Sequence, residues 1–148
     1  MSALRRASDA DRDAVVALQH AAYAKNRPLL GVEPLPLRAD YREILAEYET
    51  WLYESGDGLE GVLILEPRKD DLLIWSVAVA PAAQGRGVGN IMLAFAETRA
   101  RALNRTCIRL YTGQPLTANI AWYRRHGYGH ESTEDMGDRV VVNLIKQL

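Results

Sequence analysis

The stretch Val77 to Asn90, VAVAPAAQGRGVGN, constrains the chain more than any other, because a strand-like apolar run stops at a proline and three glycines at alternate positions lead into an apolar helical pattern. Proline cannot donate to a sheet ladder, so the strand ends at Pro81. Glycine lacks a Cβ and admits positive φ. The amides of Gly85, Arg86, Gly87, Val88, Gly89 and Asn90 can therefore turn toward one anion at a helix start, where the helix dipole adds partial positive charge. Gly89 falls inside the first helical turn, where glycine costs about 1 kcal/mol against alanine. Close approach of a phosphate would compensate.

Spacing separates the phosphate loops that could explain the stretch. A nucleotide-triphosphate loop needs GxxxxGK followed by Ser or Thr, which the chain lacks. A dinucleotide loop needs GxGxxG, and the register from Gly85 and Gly87 puts Asn90 at the third glycine. It also wants an acidic residue on the next strand to hold a ribose, and Cys107 to Tyr111 (CIRLY) offers none. Gln84, two residues, Gly87, one residue, Gly89 instead resembles the acetyl-CoA pyrophosphate loop of the GNAT N-acetyltransferase superfamily, with Arg86 where that pattern often has arginine. The flanks agree. DLLIWSVAVAP resembles the family's strand before the loop, and TANIAWYRRHGYGHES its second motif, an Asn, a Tyr four residues later, then Gly-Tyr. The resemblance covers most of the chain and leaves residues 24 to 50 unmatched.

It implies an acetyl-CoA-dependent N-acetyltransferase in which a primary amine attacks the thioester directly. A CoA-binding sensor of the same fold without turnover is the alternative. On this resemblance residues 84–90 hold the pyrophosphate, and the main chain of Val77 and Val79 pairs with the pantetheine arm and offers an amide to the oxyanion. Tyr123 takes the place of the general acid, with Asn119, one helical turn before it, on the cofactor. The family's occasional base position falls on Leu73, which takes no proton. Asp71, two residues earlier on the same strand face, is the nearest substitute; Glu33, His20 and relay through water are others. Glu33, in the proline-rich loop, is also the carboxylate for pairing with an acceptor ammonium. Cys107 as an acyl carrier is disfavoured, because a lone strand cysteine is usually a small core residue.

The remaining composition mainly excludes. The 148 residues fit one domain, 1–148. A net charge of −1 and a pI near 6.3 argue against a general nucleic-acid or membrane-surface binder. Arg5-Arg6 is followed by SDADRD rather than an apolar run, so a cytoplasmic protein is expected, monomer or homodimer, with a small-molecule or peptide amine as acceptor. One cysteine allows neither an internal disulfide nor a cysteine-based metal site, and no metal is expected.

Periodicity predicts a mixed, mostly antiparallel α/β (α+β) sheet of about seven strands with about four helices. The expected strands are 4–7, 51–54, 59–66, 72–79, 107–111, 128–133 and 139–145, the last two a hairpin turning at DMGD. Ser8 is expected to cap a helix through Tyr23, residues 24–36 to be irregular, and a second helix to run from about Leu37 to Glu49. A third follows the glycines with Val88, Ile91, Met92 and Phe95 inward. A fourth runs from Thr117 to His126, stopped by Gly127.

Overall fold

The computed structural model describes residues 4–148. The apolar runs become seven strands: β1 (Leu4–Arg6), β2 (Glu49–Ser55), β3 (Gly58–Pro67), β4 (Leu72–Val79), β5 (Cys107–Gly113), β6 (Gly129–Asp135) and β7 (Val140–Gln147). Their spatial order is β1-β2-β3-β4-β5-β7-β6. Only β4 and β5 run parallel, and the helix that crosses between them is α4 (Val88–Ala102). The other helices are α1 (Arg12–Tyr23), the four-residue α2 (Arg27–Leu30), α3 (Tyr41–Glu47) and α5 (Thr117–Arg125). This is the mixed, mostly antiparallel α/β architecture that the periodicities predict.

Both faces of the central strands are covered, which explains the unbroken apolar run in β4. On one face α4 lays Met92, Leu93, Ala96 and Ala100 over Leu63, Leu65, Leu72, Ile74 and Ile108. On the other, Val15 and Leu18 of α1 and Ile44 of α3 pack on Val62, Ile64 and Ala78. The inward stripe of α4 is rotated from the predicted one. Ile91 is exposed, while Ala96 and Ala100 are buried and let the helix lie close to the sheet.

Two segments differ from expectation. Residues 24–36 hold short helical turns rather than irregular chain: a 3₁₀ turn over Ala24–Asn26, then α2, which takes Pro28 in its first turn and ends at Gly31 with φ 72°. Proline is tolerated there because the first-turn amides have no helical acceptor. The second helix is shorter than predicted, beginning after Asp40, whose carboxylate accepts from the Arg42 amide at 3.0 Å, and leaving Glu49 to β2. Glu49 is needed there: its carboxylate accepts from Arg99 of α4 at 2.8 and 2.9 Å and from the Trp51 indole at 3.0 Å. The DMGD hairpin turn and the positive φ of Gly127 match the predicted pattern.

A polar network inside the apolar layer ties α1 to β4. Gln19 donates to Ser76 Oγ and Tyr41 Oη, both at 3.0 Å, and Tyr41 donates to the Pro36 carbonyl at 2.7 Å. Tyr23, at the end of α1, lies 2.8 Å from Ser76 Oγ. These bonds fix how far α1 and the loop after it stand from the sheet.

Asp71 sits at the opposite end of β4 from the glycines. Arg68 grips it twice, at 2.6 and 2.7 Å, and Arg109 of β5 adds a third bond at 2.8 Å. Hydrogen bonding from Arg68 first, then from Arg109, holds its carboxyl below the ordinary value against the opposing effect of burial. A depressed folded value means that the pair's contribution is complete above the unfolded carboxyl value near 3.9 and is lost as pH falls through the folded value below it. Asp71→Asn is therefore expected to destabilise by about 2 kcal/mol at pH 7, because the carboxylate is buried but both guanidiniums are partly solvated. Urea unfolding from pH 7 down to pH 3 should show the gap between wild type and variant closing below pH 4. A gap that stays constant would show that the ion pairs do not carry the effect.

Candidate active site

The site originates where two strands part. β4 and β5 are paired over only three residues each, Leu72 to Ile108, Leu73 to Arg109 and Ile74 to Leu110, yet β4 continues to Val79 and β5 to Gly113. Beyond Ile74 the β5-facing edge of β4 has no strand partner. The Ala80 amide donates to Glu60 on β3, so the alternation of an antiparallel ladder turns residues 76 and 78 toward β3 and the peptide groups of Val77 and Val79 toward the open edge. Side chains already reach these carbonyls: Tyr23 Oη is 3.4 Å from the Val77 oxygen, and Gln84 Nε2 donates to the Val79 oxygen at 3.2 Å.

At the end of that edge lies the cradle. Gly85 and Gly87 have φ of 81° and 82°, a left-handed backbone that only glycine adopts at little cost. Gly87 precedes α4 with no side-chain cap, and the first amide satisfied inside the helix is that of Ile91, on the Gly87 carbonyl at 3.1 Å. Among the described residues the amides of 85–90 donate to no protein acceptor. A cavity of about 340 Å³ lies over them, walled by Val79, Gln84, Val88, Gly89 and Trp122 among others.

Two further cavities continue from it. One of about 300 Å³ runs along Val77, Ala78 and Val79 between Tyr23, Asn119 and Trp122. Another of about 140 Å³ fills the fork between β4 and β5 and includes Tyr23, Ser76, Tyr111 and Tyr123. Trp122 borders all three, so they form one elongated cleft. Its ring meets Tyr123 and His126, each at a centroid distance of 4.9 Å. Asn119 and Tyr123 share the cleft-facing side of α5. The Tyr123 hydroxyl has no protein hydrogen-bond partner among the described residues. Burial, then the neighbouring Tyr23 and Tyr128 phenols, raise it well above its ordinary value, so it remains a neutral phenol.

Residues 46–130 match the family described as acetyltransferase (GNAT) domain, more than half of the chain. The chain belongs to the GNAT acetyltransferase family. Solved structures share the fold over nearly its whole length. The PaiA N-acetyltransferase of Thermoplasma acidophilum, in complex with coenzyme A, superposes with a TM-score of 0.79 at 14% identity, covering 98% of each chain. A GNAT acetyltransferase of Elizabethkingia anophelis with acetyl-CoA bound gives 0.75 at 16% identity over 98% of this chain and 97% of that one. The ribosomal-protein-alanine N-acetyltransferase of Brucella melitensis gives 0.73 at 21% over 98% and 99%. No helix among the described residues is long and apolar enough to cross a membrane.

Within this GNAT domain the sequence-derived residues divide. Val77, Val79, Gln84, Gly85, Gly87, Val88, Gly89, Asn90, Asn119 and Tyr123 all line the cleft. The Arg86 side chain does not; it folds back onto the buried Glu60 of β3, leaving only its amide in the cradle. Asp71 borders none of the three cavities and is held by its two arginines, so it is not placed as the base. Glu33 is likewise turned aside, to Arg27 at 2.8 Å, and borders none of the three cavities. His20 is exposed and outside the cleft. Cys107 is buried, with Arg109 Nη1 at 3.7 Å.

Sequence reasoning misses Tyr23, Asn26, Trp122 and Arg139, which all face the cleft. Trp122 had a local signal, being adjacent to Tyr123 on a short helix; the others enter through long-range contacts that no spacing reveals. Trp122 also revises the account of Gly89. A Cβ there would lie 3.0 Å from the indole Cζ2, so any larger residue requires the ring packed on it to give by a few tenths of an ångström. Gly89→Ala is expected to destabilise by about 1 kcal/mol, overpacking against the indole outweighing the helix-propensity gain. In a Trp122→Ala background the same change should stabilise by about 1 kcal/mol, since only the propensity gain is left. Urea melts of the four proteins read this sign reversal, and equal effects in both backgrounds would show that the ring is not the reason.

Proposed function

We propose that the protein transfers the acetyl group of acetyl-CoA to a primary amine by direct attack. The observation that carries this reading is the continuity of the cleft, from the unpaired amides of residues 85–90, along the open edge of β4, to the free hydroxyl of Tyr123. Acetyl-CoA presents a pyrophosphate, an amide-bearing arm and a thioester in that same order. The cradle amides and the N-terminus of α4 suit the pyrophosphate. The peptide groups of Val77 and Val79 suit the arm, which adds to β4 as an extra strand would. An amide on the same edge, aimed at the thioester oxygen, stabilises the charge that grows there.

The N–C bond forms as the C–S bond breaks, the amine gives up a proton and the departing sulfur accepts one. No Asp, Glu or His lines the three cavities, so the amine's proton leaves through water rather than to a resident base. Tyr123 supplies the proton to sulfur. A phenol is a weaker acid than a thiol, and burial weakens it further, so transfer needs the thiolate to be equally deprived of water beside the hydroxyl. The apolar walls of the fork, Leu110, Leu116 and Val141, provide that dryness.

Calorimetry with acetyl-CoA and CoA release with a broad amine panel test the reading together. Tyr123→Phe keeps the ring and removes one oxygen, so kcat is expected to fall roughly 10- to 100-fold, the ordinary scale of general acid catalysis, with acetyl-CoA affinity little changed. Undiminished turnover would assign the proton to another donor. Tight acetyl-CoA binding with no turnover on any amine would make the protein a CoA-binding module.

A further inference from the structure

The fork between β4 and β5 has an unusual charge balance for a pocket that receives an amine. No carboxylate lines it, and its one charged wall is Arg139, at the start of the β6–β7 hairpin's return, whose side chain is only 6% exposed. Burial above all, then Tyr48 and Glu66, raise the Tyr111 phenol, so one carboxylate's field reaches this wall, but Glu66 does not itself line the cavity. The guanidinium is not fully committed to protein. Among the described residues its hydrogen bonds go to Asp138 alone, from Nε at 3.2 Å and Nη2 at 3.1 Å. Asp138 is 51% exposed and shared, with Arg38 at 3.5 Å. Arg139 therefore shares its one carboxylate with a solvent-exposed arginine, and its Nη1 makes no hydrogen bond among the described residues.

A second polar group lies unpaired in the same wall. Asn26 is 6% exposed and lines the cavity, yet its carboxamide makes no protein hydrogen bond among the described residues. Its amide atoms are open to the cavity, where a ligand or water can meet them. Its NH₂ can donate to an anion, and its oxygen can accept from an amine. The other walls are Leu30, Pro34, Leu35 and the aromatic rings of Trp75 and Tyr111, which suit an uncharged side chain.

We infer that the acceptor is an amine carrying a carboxylate, with Arg139 holding that carboxylate and Asn26 completing its hydrogen bonds; this rests on the acetyl-transfer reading above. Asp138 takes the Nε and Nη2 edge, so the end-on edge of Nη1 and the second Nη2 hydrogen is what remains to hold a carboxylate in two hydrogen bonds. Held there, the acceptor presents its amine toward the Ser76–Val77 edge and its side chain toward the apolar walls. A polyamine is disfavoured for the same reason, since its second ammonium would meet Arg139 rather than a carboxylate.

The test uses the intact protein with acetyl-CoA and matched acceptors: L-leucine, L-methionine and L-phenylalanine, each against the amine lacking only the carboxylate, with spermidine as the polycation. Compared per neutral amine, kcat/KM is expected to favour the carboxylate-bearing member of at least one pair by 10-fold or more. Arg139→Gln should erase that preference, the carboxylate-bearing member losing 10-fold or more in kcat/KM relative to its carboxylate-free partner. Asp138→Asn, at an exposed position, should sharpen the preference by freeing the guanidinium, and it keeps the test alive should Arg139→Gln not fold. 3-Phenylpropanoate should compete with the acceptor and not with acetyl-CoA. The inference is overturned if the carboxylate-free amines or spermidine are preferred, if Asp138→Asn has no effect on the preference, or if no member of the panel is acetylated while acetyl-CoA still binds. Loss of acetyl-CoA binding itself would instead overturn the acetyl-transfer reading.

Discussion

The cleft of this molecule depends on the separation of β4 from β5 after three residue pairs. Two parallel strands that stayed paired would satisfy each other's peptide groups and leave a closed sheet with no interior cleft. Their divergence leaves Val77 and Val79 with peptide groups turned to an edge that no strand completes, and it opens the space into which Tyr23, Trp122 and Tyr123 project. The separation is held from both ends. Above it, α5 stands in the gap that a paired β5 would close; beside it, the Gln19, Ser76, Tyr23 and Tyr41 network sets the distance of α1 from the sheet. A polar network is the suitable device for this, because its hydrogen bonds specify one registry where apolar contacts would tolerate sliding.

The parts of the site that were legible in sequence are those whose chemistry is local. The cradle follows from glycine spacing after a proline-terminated strand, and positive φ at Gly85 and Gly87 is what that spacing requires. Asn119 and Tyr123 follow from a four-residue repeat on one helix. Asp71 was the natural substitute base by strand parity, and parity is a correct statement about faces. It says nothing about Arg68 and Arg109, whose three hydrogen bonds make the carboxylate part of the sheet's far end. Glu33 fails similarly: a carboxylate in a loop near the fork is taken up by Arg27, six residues before it.

The glycines illustrate how one motif serves several purposes. Gly85 and Gly87 are needed for backbone conformation, whereas Gly89 is needed for the absence of a side chain beneath Trp122. The same motif therefore shapes the anion cradle and seats the wall of the adjoining channel. That dual role was invisible in sequence because the indole arrives from α5, more than thirty residues downstream. The boundary errors have the same origin: Glu49 has helix-compatible character, but Arg99 and Trp51 draw it into β2. Long-range partners, not local preference, decide such positions.

The outer edges of the sheet have a further consequence. An unpaired strand edge is a template for another chain, and this molecule carries one at its centre. Its two outer edges offer little competition: the described part of β1 is three residues, and every residue of β6 is exposed, with Glu131, Glu134 and Asp135 along it. Glu131 is paired with Arg109, and the like charges of Glu134 and Asp135 oppose edge-to-edge stacking with a second copy. The open edge of β4, by contrast, is recessed, with Tyr23 of α1 and Asn119 and Trp122 of α5 beside it. The fold thus recesses its one long unpaired edge while keeping its outer edges short or polar.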